Sequence, residues 1–419
     1  MEISFLLPAL VILVGIFLLF KLGFFFIFHP IRTIKEFSAG LKDRESRRAF
    51  FLALAGTLGV GNIFGVAAGL MIGGEGSIFW LFISSIFSVI IKYAEVLLVI
   101  DGQRNMPKSS SGGMAGLISG AMKNGRVFSI FYAGLTVALS LTMGGAMQTS
   151  AICDIGYESL GLMPIISIFI LVILLLPALI GGTKKIESIT EVVIPLTTII
   201  YIIMCLSAIF INFDRLYEVI IRIITASFLP ESLIGGVTAI AIKEGFARGI
   251  LSNEAGAGTS ALAHSRAGDR SPHLAGLFGM CEVVFDTTIL CTLTGLSILI
   301  SVDDLSVYRS PMSLVFDAFR QTLGDFSLLL FPLVIAFAYS TIICWFFYGA
   351  ECCNSYFGKF KRFFPFAFLG FVALSFLFPA EPLLYVTDFL LLLMAALTLF
   401  VVVKKVNRIV FLSKNKGLP

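Results

Sequence analysis

The chain has 419 residues, 58% of them hydrophobic and 13% charged, with a formal net charge of +4 and a mean hydropathy of +0.99. A soluble domain carries about 25% charged and 45–50% apolar residues, so this composition excludes a water-soluble globule and calls for lipid as solvent. Apolar runs of about 20 residues, enough to cross roughly 30 Å of hydrocarbon, recur along the whole chain. Backbone hydrogen bonding in lipid makes such runs helices, and the short alternating segments of a membrane β-barrel are not seen.

In chain order, spans are expected at 4–28, 49–70, 76–101, 127–147, 163–183, 190–213, 235–263, 273–301, 325–350, 362–379 and 382–403, eleven in all. The first is too long for the core of a signal peptide and lacks a basic leader and a cleavage site, so it is read as a helix. Seven cysteines at irregular spacing, mostly within apolar runs, argue against a disulfide framework. Lys and Arg number 22 in one alternating set of loops and the tail, against 4 in the other set. That bias puts the N-terminus outside and the C-terminus in the cytoplasm, in the cell membrane. An even number of spans would break the alternation. The basic tail suits orientation or contact with anionic lipid, not nucleic acid.

Two spans are irregular. The second contains GTLGVGNIFGVAAG, residues 56–69, with five glycines in fourteen residues and Asn62 among them. Each interior glycine costs about 1 kcal/mol of helix stability relative to alanine. The seventh contains EGFARGILSNEAGAGTSALAHSRA, residues 244–267, too polar for a lipid-facing helix and too apolar for an ordinary loop. With the first span counted as extra, each irregular span opens a group of five, and the two groups enter the membrane from opposite sides. Residues 1–48 are then an extra helix and loop, 49–213 and 214–403 two five-helix repeats, and 404–419 the tail. Paired interrupted segments in oppositely oriented halves point to an inverted-repeat secondary transporter. A break frees carbonyls for a cation and amides for a carboxylate, and glycine permits it. Close packing of small residues, as at Gly61 and Gly65, is the plainer alternative.

These two stretches, with FWLFISSIFSVIIKYAEV, FDTTILCTLTG and STIICWFFYG, resemble the alanine/glycine:cation symporter family, a branch of the transporters with the leucine-transporter-like fold. The resemblance covers residues 50–350. It implies an all-α polytopic protein with one extra N-terminal helix, a five-plus-five inverted repeat and two broken helices. It further implies symport of small neutral amino acids (alanine, glycine, and serine with them) with Na+, no organic cofactor, and a monomeric functional unit. The implied substrate contacts are Thr57, Gly59, Gly61, Asn62, Gln148, Ser252, Val284, Thr288 and Trp345. The implied Na+ ligands are the carbonyls of Ala55 and Leu58 and the hydroxyls of Ser340 and Thr341. Several positions depart from the family pattern. Glu75 stands in a loop that usually reads GGPG, Cys344 precedes Trp345 in place of glycine, and Ala350 occupies a glutamate position. GGAMQTS around Gln148 lacks the usual asparagines. Val284 stands where phenylalanine is common, which with Thr288 one turn on implies a wider pocket.

Most of these residues also have a purely structural reading. Asn62 suits a helix cap or an interhelical hydrogen bond, Gln148 an interhelical clamp, and Trp345 packing. Ser340 and Thr341 suit back-bonding within their helix. Lys92, Glu95, Glu244, Arg248, Glu254 and Asp286 are intramembrane charges that must face protein or water, either for gating and ion coupling or as buried pairs. Glu244 and Arg248, four apart, suit an ion pair on one helix face. His29, His264 and His273 fall at or near the expected cytoplasmic ends, and Trp80 fits an interfacial belt. No enzyme signature is present, and the first glycine cluster lacks the GK[ST] of a phosphate loop, so an ion gradient is the expected driving force. A channel, which needs a continuous polar pore, is the rival class. Another amino acid or proton coupling on the same fold is the second alternative.

Overall fold

The computed structural model describes residues 5–24, 29–104, 113–228, 237–267, 271–377 and 380–414, with no strand among them. Helix α1 (Leu6–Leu22) is apolar, and α2 (Pro30–Gly40) is a short amphipathic helix that exposes Ile31 and Ile34. Asp43 caps α3 (Arg44–Thr57), accepting the Ser46 amide at 2.8 Å. The helix stops at Leu58. After one tight turn, Val60–Asn62, α4 (Phe64–Gly73) departs at 61°. Next come α5 (Gly76–Arg104), α6 (Gly113–Ala121), α7 (Gly125–Leu139) and α8 (Gln148–Leu160), the last two joined through a π-helical stretch, Ser140–Met147. Then follow α9 (Pro164–Ile211), α10 (Leu216–Phe228), α11 (Val237–Asn253) and the short α12 (Ala261–His264). A second π-helical stretch, Val284–Cys291, links α13 (Pro272–Val283) to α14 (Thr292–Ser301). The chain ends in α15 (Pro311–Leu323), α16 (Leu330–Tyr356), α17 (Phe364–Ala373), α18 (Ala380–Lys404) and α19 (Val406–Lys414).

Six helical stretches are long and apolar enough to cross a membrane, or seven with the bent α3–α4 pair, so eleven is not reached on this measure among the described residues. Part of the difference lies in α9. A loop is expected at 184–189, but α9 runs 48 residues and leaves helical geometry only at Gly182, at φ 64° and ψ −166°. Glycine alone tolerates that backbone cheaply, and the charged residues after it are good helix formers. Another part lies in α17, which has ten residues where a span over 362–379 is expected. Residues 1–4, 25–28, 105–112, 229–236, 268–270, 378–379 and 415–419, in the expected spans, loops and tail, lie outside the described residues.

Helix α5 is the pillar, buried without interruption from Ser88 to Ile100. Two helices reach its backbone through glycines. A Cβ on Gly245 of α11 would lie 2.5 Å from the Ser77 carbonyl oxygen and 2.6 Å from Trp80 Cβ. One on Gly276 or Gly279 of α13 would meet the Tyr93 ring at 2.7 Å or Val96 Cγ2 at 2.8 Å. Gly61 and Gly65 differ, since a Cβ at either meets nothing within 4 Å. Close packing therefore does not account for Gly61 and Gly65, whereas Gly69 and Gly73 do pack closely, a Cβ there meeting Arg248 at 3.1 Å and Glu244 at 3.0 Å.

At one end of the bundle, both broken regions are tied to α9. Arg47 Nη2 and Arg48 Nε, at the start of α3, reach Glu191 at 2.9 and 2.7 Å. Arg266, just past α12, reaches Glu187 at 3.1 Å. Elsewhere Arg222 of α10 pairs with Glu75.

The glycine contacts give a paired test of stability. Gly245→Ala should lower the melting temperature of the purified protein, since overpacking typically costs 1–3 kcal/mol. Gly65→Ala, in open helical surroundings, should melt with the parent or above it, by up to about 1 kcal/mol. Equal melting of the two variants would contradict the packing described.

Candidate functional site

The first break exposes backbone that a continuous helix would consume. The Gly59 amide, which would otherwise close on the Ala55 carbonyl, bonds to the Thr57 carbonyl at 3.0 Å and to Asn62 Oδ1 at 3.0 Å. The Val60 amide donates to Gln148 Oε1 at 3.1 Å, and Gln148 Nε2 donates to the Met143 carbonyl at 3.3 Å. Asn62 thus caps the break, and Gln148 clamps it to the helix through the first π-helical stretch. Gly59 is required by close approach, since a Cβ there would lie 2.8 Å from Thr341 Oγ1 and 3.0 Å from Gln148 Oε1.

Helix α16 covers the end of α3. Thr341 Oγ1 lies 3.1 Å from the Leu58 carbonyl oxygen and 3.0 Å from that of Phe337. Trp345 Nε1 donates to the Gly56 carbonyl at 3.2 Å, and Cys344 Sγ to that of Leu52 at 3.1 Å. Ser340 turns away and donates to its own helix at Ala336, 2.8 Å. Thr57 does the same at Leu54, 3.3 Å. Of the four expected cation ligands, the structure joins Thr341 and Leu58, leaves the Ala55 carbonyl without its helical amide, and points Ser340 elsewhere. No group of three or more His, Cys, Asp or Glu among the described residues could hold a metal ion. The donors that fit a cation here are uncharged hydroxyl and carbonyl oxygens at a half-helix end, the kind used for Na+ at broken helices.

The second break, between Asn253 and Ala261, has positive φ at Glu254 (54°), Gly256 (93°) and Gly258 (75°). Side chains from four directions hold it. Asn253 Oδ1 accepts the Ala255 amide at 2.9 Å while its Nδ2 donates to Thr287. Tyr132 and Thr398 donate to the Ala257 carbonyl at 2.6 and 3.3 Å. Lys92 donates to the Glu254 carbonyl at 3.3 Å and to Ser260 at 3.2 Å. Thr259 bonds to the Glu254 carboxylate.

The two breaks meet through Asn62. Its Nδ2 donates to Ser252 Oγ at 3.0 Å and to the Asp286 carboxylate, and Ser252 donates to Asp286 Oδ1 at 2.6 Å. Asn62, Gln148 and Ser252 are 1%, 4% and 4% exposed, so the junction is shut. Val284 and Thr288 do not join it. They lie half-buried on another face, where Thr288 donates to Ser85 of α5 at 2.9 Å, while Asp286, between them in sequence, turns inward. Their i, i+4 stripe is a different face from the one that carries position 286. Gly61 is partly exposed and faces open space.

Of the other charges, one pair forms as its spacing suggests. Arg248 meets Glu244 at 2.8 Å. Lys92 lies 3.6 Å from Glu282, which meets His264 at 3.2 Å. Sequence reasoning left Asp286 out of the site and passed over Glu282. Lys92 in an apolar run was the available signal, since a buried cation needs a partner. Trp80 packs among Phe79, Phe228 and Phe246.

The model of the sodium:alanine symporter family matches residues 1–414. The sodium/alanine symporter AgcS of Methanococcus maripaludis is 30% identical over 358 residues, covering 81% of this chain and 78% of that one. An uncharacterized transporter of Haemophilus influenzae is 30% identical over 364 residues, covering 82% and 78%. The amino-acid carrier protein AlsT of Bacillus subtilis is 30% identical over 297 residues, covering 69% and 63%. A solved nucleobase-cation-symport-1 family transporter, closed with bromovinylhydantoin bound, aligns at a TM-score of 0.47 and 16% identity, over 83% of this chain and 74% of that one.

Removing the Gln148 side chain strands the Val60 amide. Gln148→Ala should cost about 1–3 kcal/mol, the range for an unpaired buried donor, read as a lowered melting temperature in detergent. Melting with the parent would mean that the clamp is not made.

Proposed function

Because this chain belongs to the sodium:alanine symporter family, we propose that it imports small neutral amino acids together with Na+. Alanine and glycine are the substrates, with serine tolerated. The observation that carries this reading is the junction of two interrupted helices at Asn62, Ser252 and Asp286. Half-helix ends that meet in this way offer carbonyls to a cation and amides to a carboxylate within one small volume. The substrate lies against Asn62, Gln148 and Ser252. Gly59 and Gly61 bring backbone within its reach, and Thr57 and Trp345 close the end of the first half-helix. Na+ binds at Thr341 and the Leu58 and Ala55 carbonyls, with Ser340 rotating in as a fourth ligand. Support comes from the contact between Thr341 and Leu58 and from the Ala55 carbonyl that lacks its helical amide.

The same reading takes the chain as eleven spans: one extra helix in 1–48, inverted repeats at 49–213 and 214–403, and a cytoplasmic tail at 404–419. The basic bias of alternate loops supports an outside N-terminus. One chain is the functional unit, since both breaks and every proposed contact lie within it.

Counterflow of labelled alanine into proteoliposomes, with Na+, Li+ and proton gradients varied separately, tests the whole. Accumulation that follows Na+ is expected. Ion conduction without amino-acid flux would favour a channel, and uptake indifferent to Na+ would remove the cation assignment. Within that assay, Thr341→Ala should raise the half-saturating Na+ concentration while Thr341→Ser preserves it. Asn62→Ala should weaken alanine binding by roughly 10- to 150-fold, the worth of about 1.5–3 kcal/mol for a hydrogen bond to a charged ligand. Parent-like values in both variants would move the site away from the first break.

A further inference from the structure

One buried group of charges is not explained by these contacts, although Asp286 belongs to the junction and Lys92 and Glu254 to the second break. Glu95 on α5, Glu254 in the second break, Glu282 on α13 and Asp286 in the second π-helical stretch are all 0–1% exposed. Against them stand one ammonium, Lys92, and one imidazole, His264, both equally buried. Among the described residues, the other titratable groups facing them are Tyr132 of α7, Cys344 and Tyr348 of α16, and Cys291 beside Asp286. Four carboxylates and one lysine leave a net charge of −3 if all are ionised, or −2 with His264 charged. Each uncompensated buried ion costs several kcal/mol, a burden that a fold of ordinary stability does not carry. Such a group neutralises itself by taking up protons.

The hydrogen bonding singles out one carboxyl. Both oxygens of Glu95 lack a hydrogen-bond partner, although the residue is fully buried. The backbone amides of Gly256 and Gly258 point toward it as weak donors only, and Lys92 acts on it at longer range. Glu254 Oε1, Asp286 Oδ2 and Glu282 Oε1 also lack a hydrogen bond, but each of these three carboxyls has a close side-chain partner on at least one oxygen, which Glu95 does not. Lys92 is the one cation shared by the group, and it also holds the second break through the Glu254 carbonyl and Ser260.

We propose that Lys92, Glu95, Glu254, Glu282, Asp286 and His264 form a proton-binding site, with Glu95 as the carboxyl that gains and loses the proton. The proton comes from water, adds to a lone pair of one Glu95 oxygen, and returns to water by the reverse step; no other bond changes. The charge state of the cluster and the arrangement of the second break are then linked. A movement of residues 254–260 shifts Lys92 relative to Glu95, which changes how tightly the proton is held, and proton occupancy biases the break in return. This coupling to movement rests on the transporter reading, whereas proton binding itself does not.

Two measurements on the full-length protein separate these claims. Infrared difference spectra across a pH series need no substrate. A protonated-carboxyl band present at neutral pH should be lost in Glu95→Gln and retained, shifted, in Glu95→Asp. An unchanged band in Glu95→Gln would overturn the assignment of the proton to Glu95. In proteoliposomes at saturating Na+, parent alanine uptake should vary with pH by up to about tenfold per unit, the limit for one titrating proton. Glu95→Gln should flatten that profile while melting near the parent. A parent-like pH profile in Glu95→Gln would overturn the coupling. If neither form moves alanine, the functional reading fails while the band still decides the proton site. If Glu95→Gln does not fold, Glu95→Asp carries both tests: an unmoved band and an unmoved pH profile would overturn the proposal.

Discussion

A peptide group that loses its helical partner inside hydrocarbon has to find another, and that requirement organises this protein. Around the first break the freed or distorted backbone finds Asn62, Gln148, Thr341, Trp345 and Cys344. Around the second it finds Asn253, Tyr132, Thr398 and Lys92. The residues proposed to bind substrate and Na+ are therefore already engaged with the chain itself. A ligand entering here exchanges internal hydrogen bonds for its own. That exchange limits the net gain on binding.

The breaks are held in register by α5. Glycines at 245, 276 and 279 bring α11 and α13 against its backbone, so little side-chain volume separates the three helices. That closeness places Lys92 of α5 beside both the second break and Glu282 of α13. Packing and charge are one design at this point. Widening either helix contact would also lengthen the path between the lysine and its partners.

The two interruptions were legible in the sequence because glycine runs and polar residues stand out against apolar surroundings. The Glu244–Arg248 pair was legible from its spacing. For Asn62 and Gln148 the residue types announced a hydrogen-bonding duty, but the partners come from helices distant in sequence and could not be named. The inward turn of Asp286 depends on a π-helical stretch, which shifts the helical face by a residue and has no compositional mark. Val284 and Thr288 were expected at the site from the family pattern, which gave no such pointer to Asp286. Hydropathy likewise set a loop at 184–189, whereas one glycine suffices to turn the chain there. Amphipathic surface helices such as α10 and α15 escape a search tuned to wholly apolar runs.

Glu187 and Glu191 sit one turn apart on α9, and each is claimed by arginine from a different broken region. The arginines are partly exposed, with side-chain exposures of 26–42%, so mobile ions reach these contacts. The two interrupted helices are thus fastened at one end to a single short segment of a third helix, like two doors on one post. Freeing either leaf alone strips one carboxylate while the other stays bound. In the proposed orientation this post stands at the cytoplasmic mouth. Salt screens exposed ion pairs, so both fastenings should weaken together as ionic strength rises.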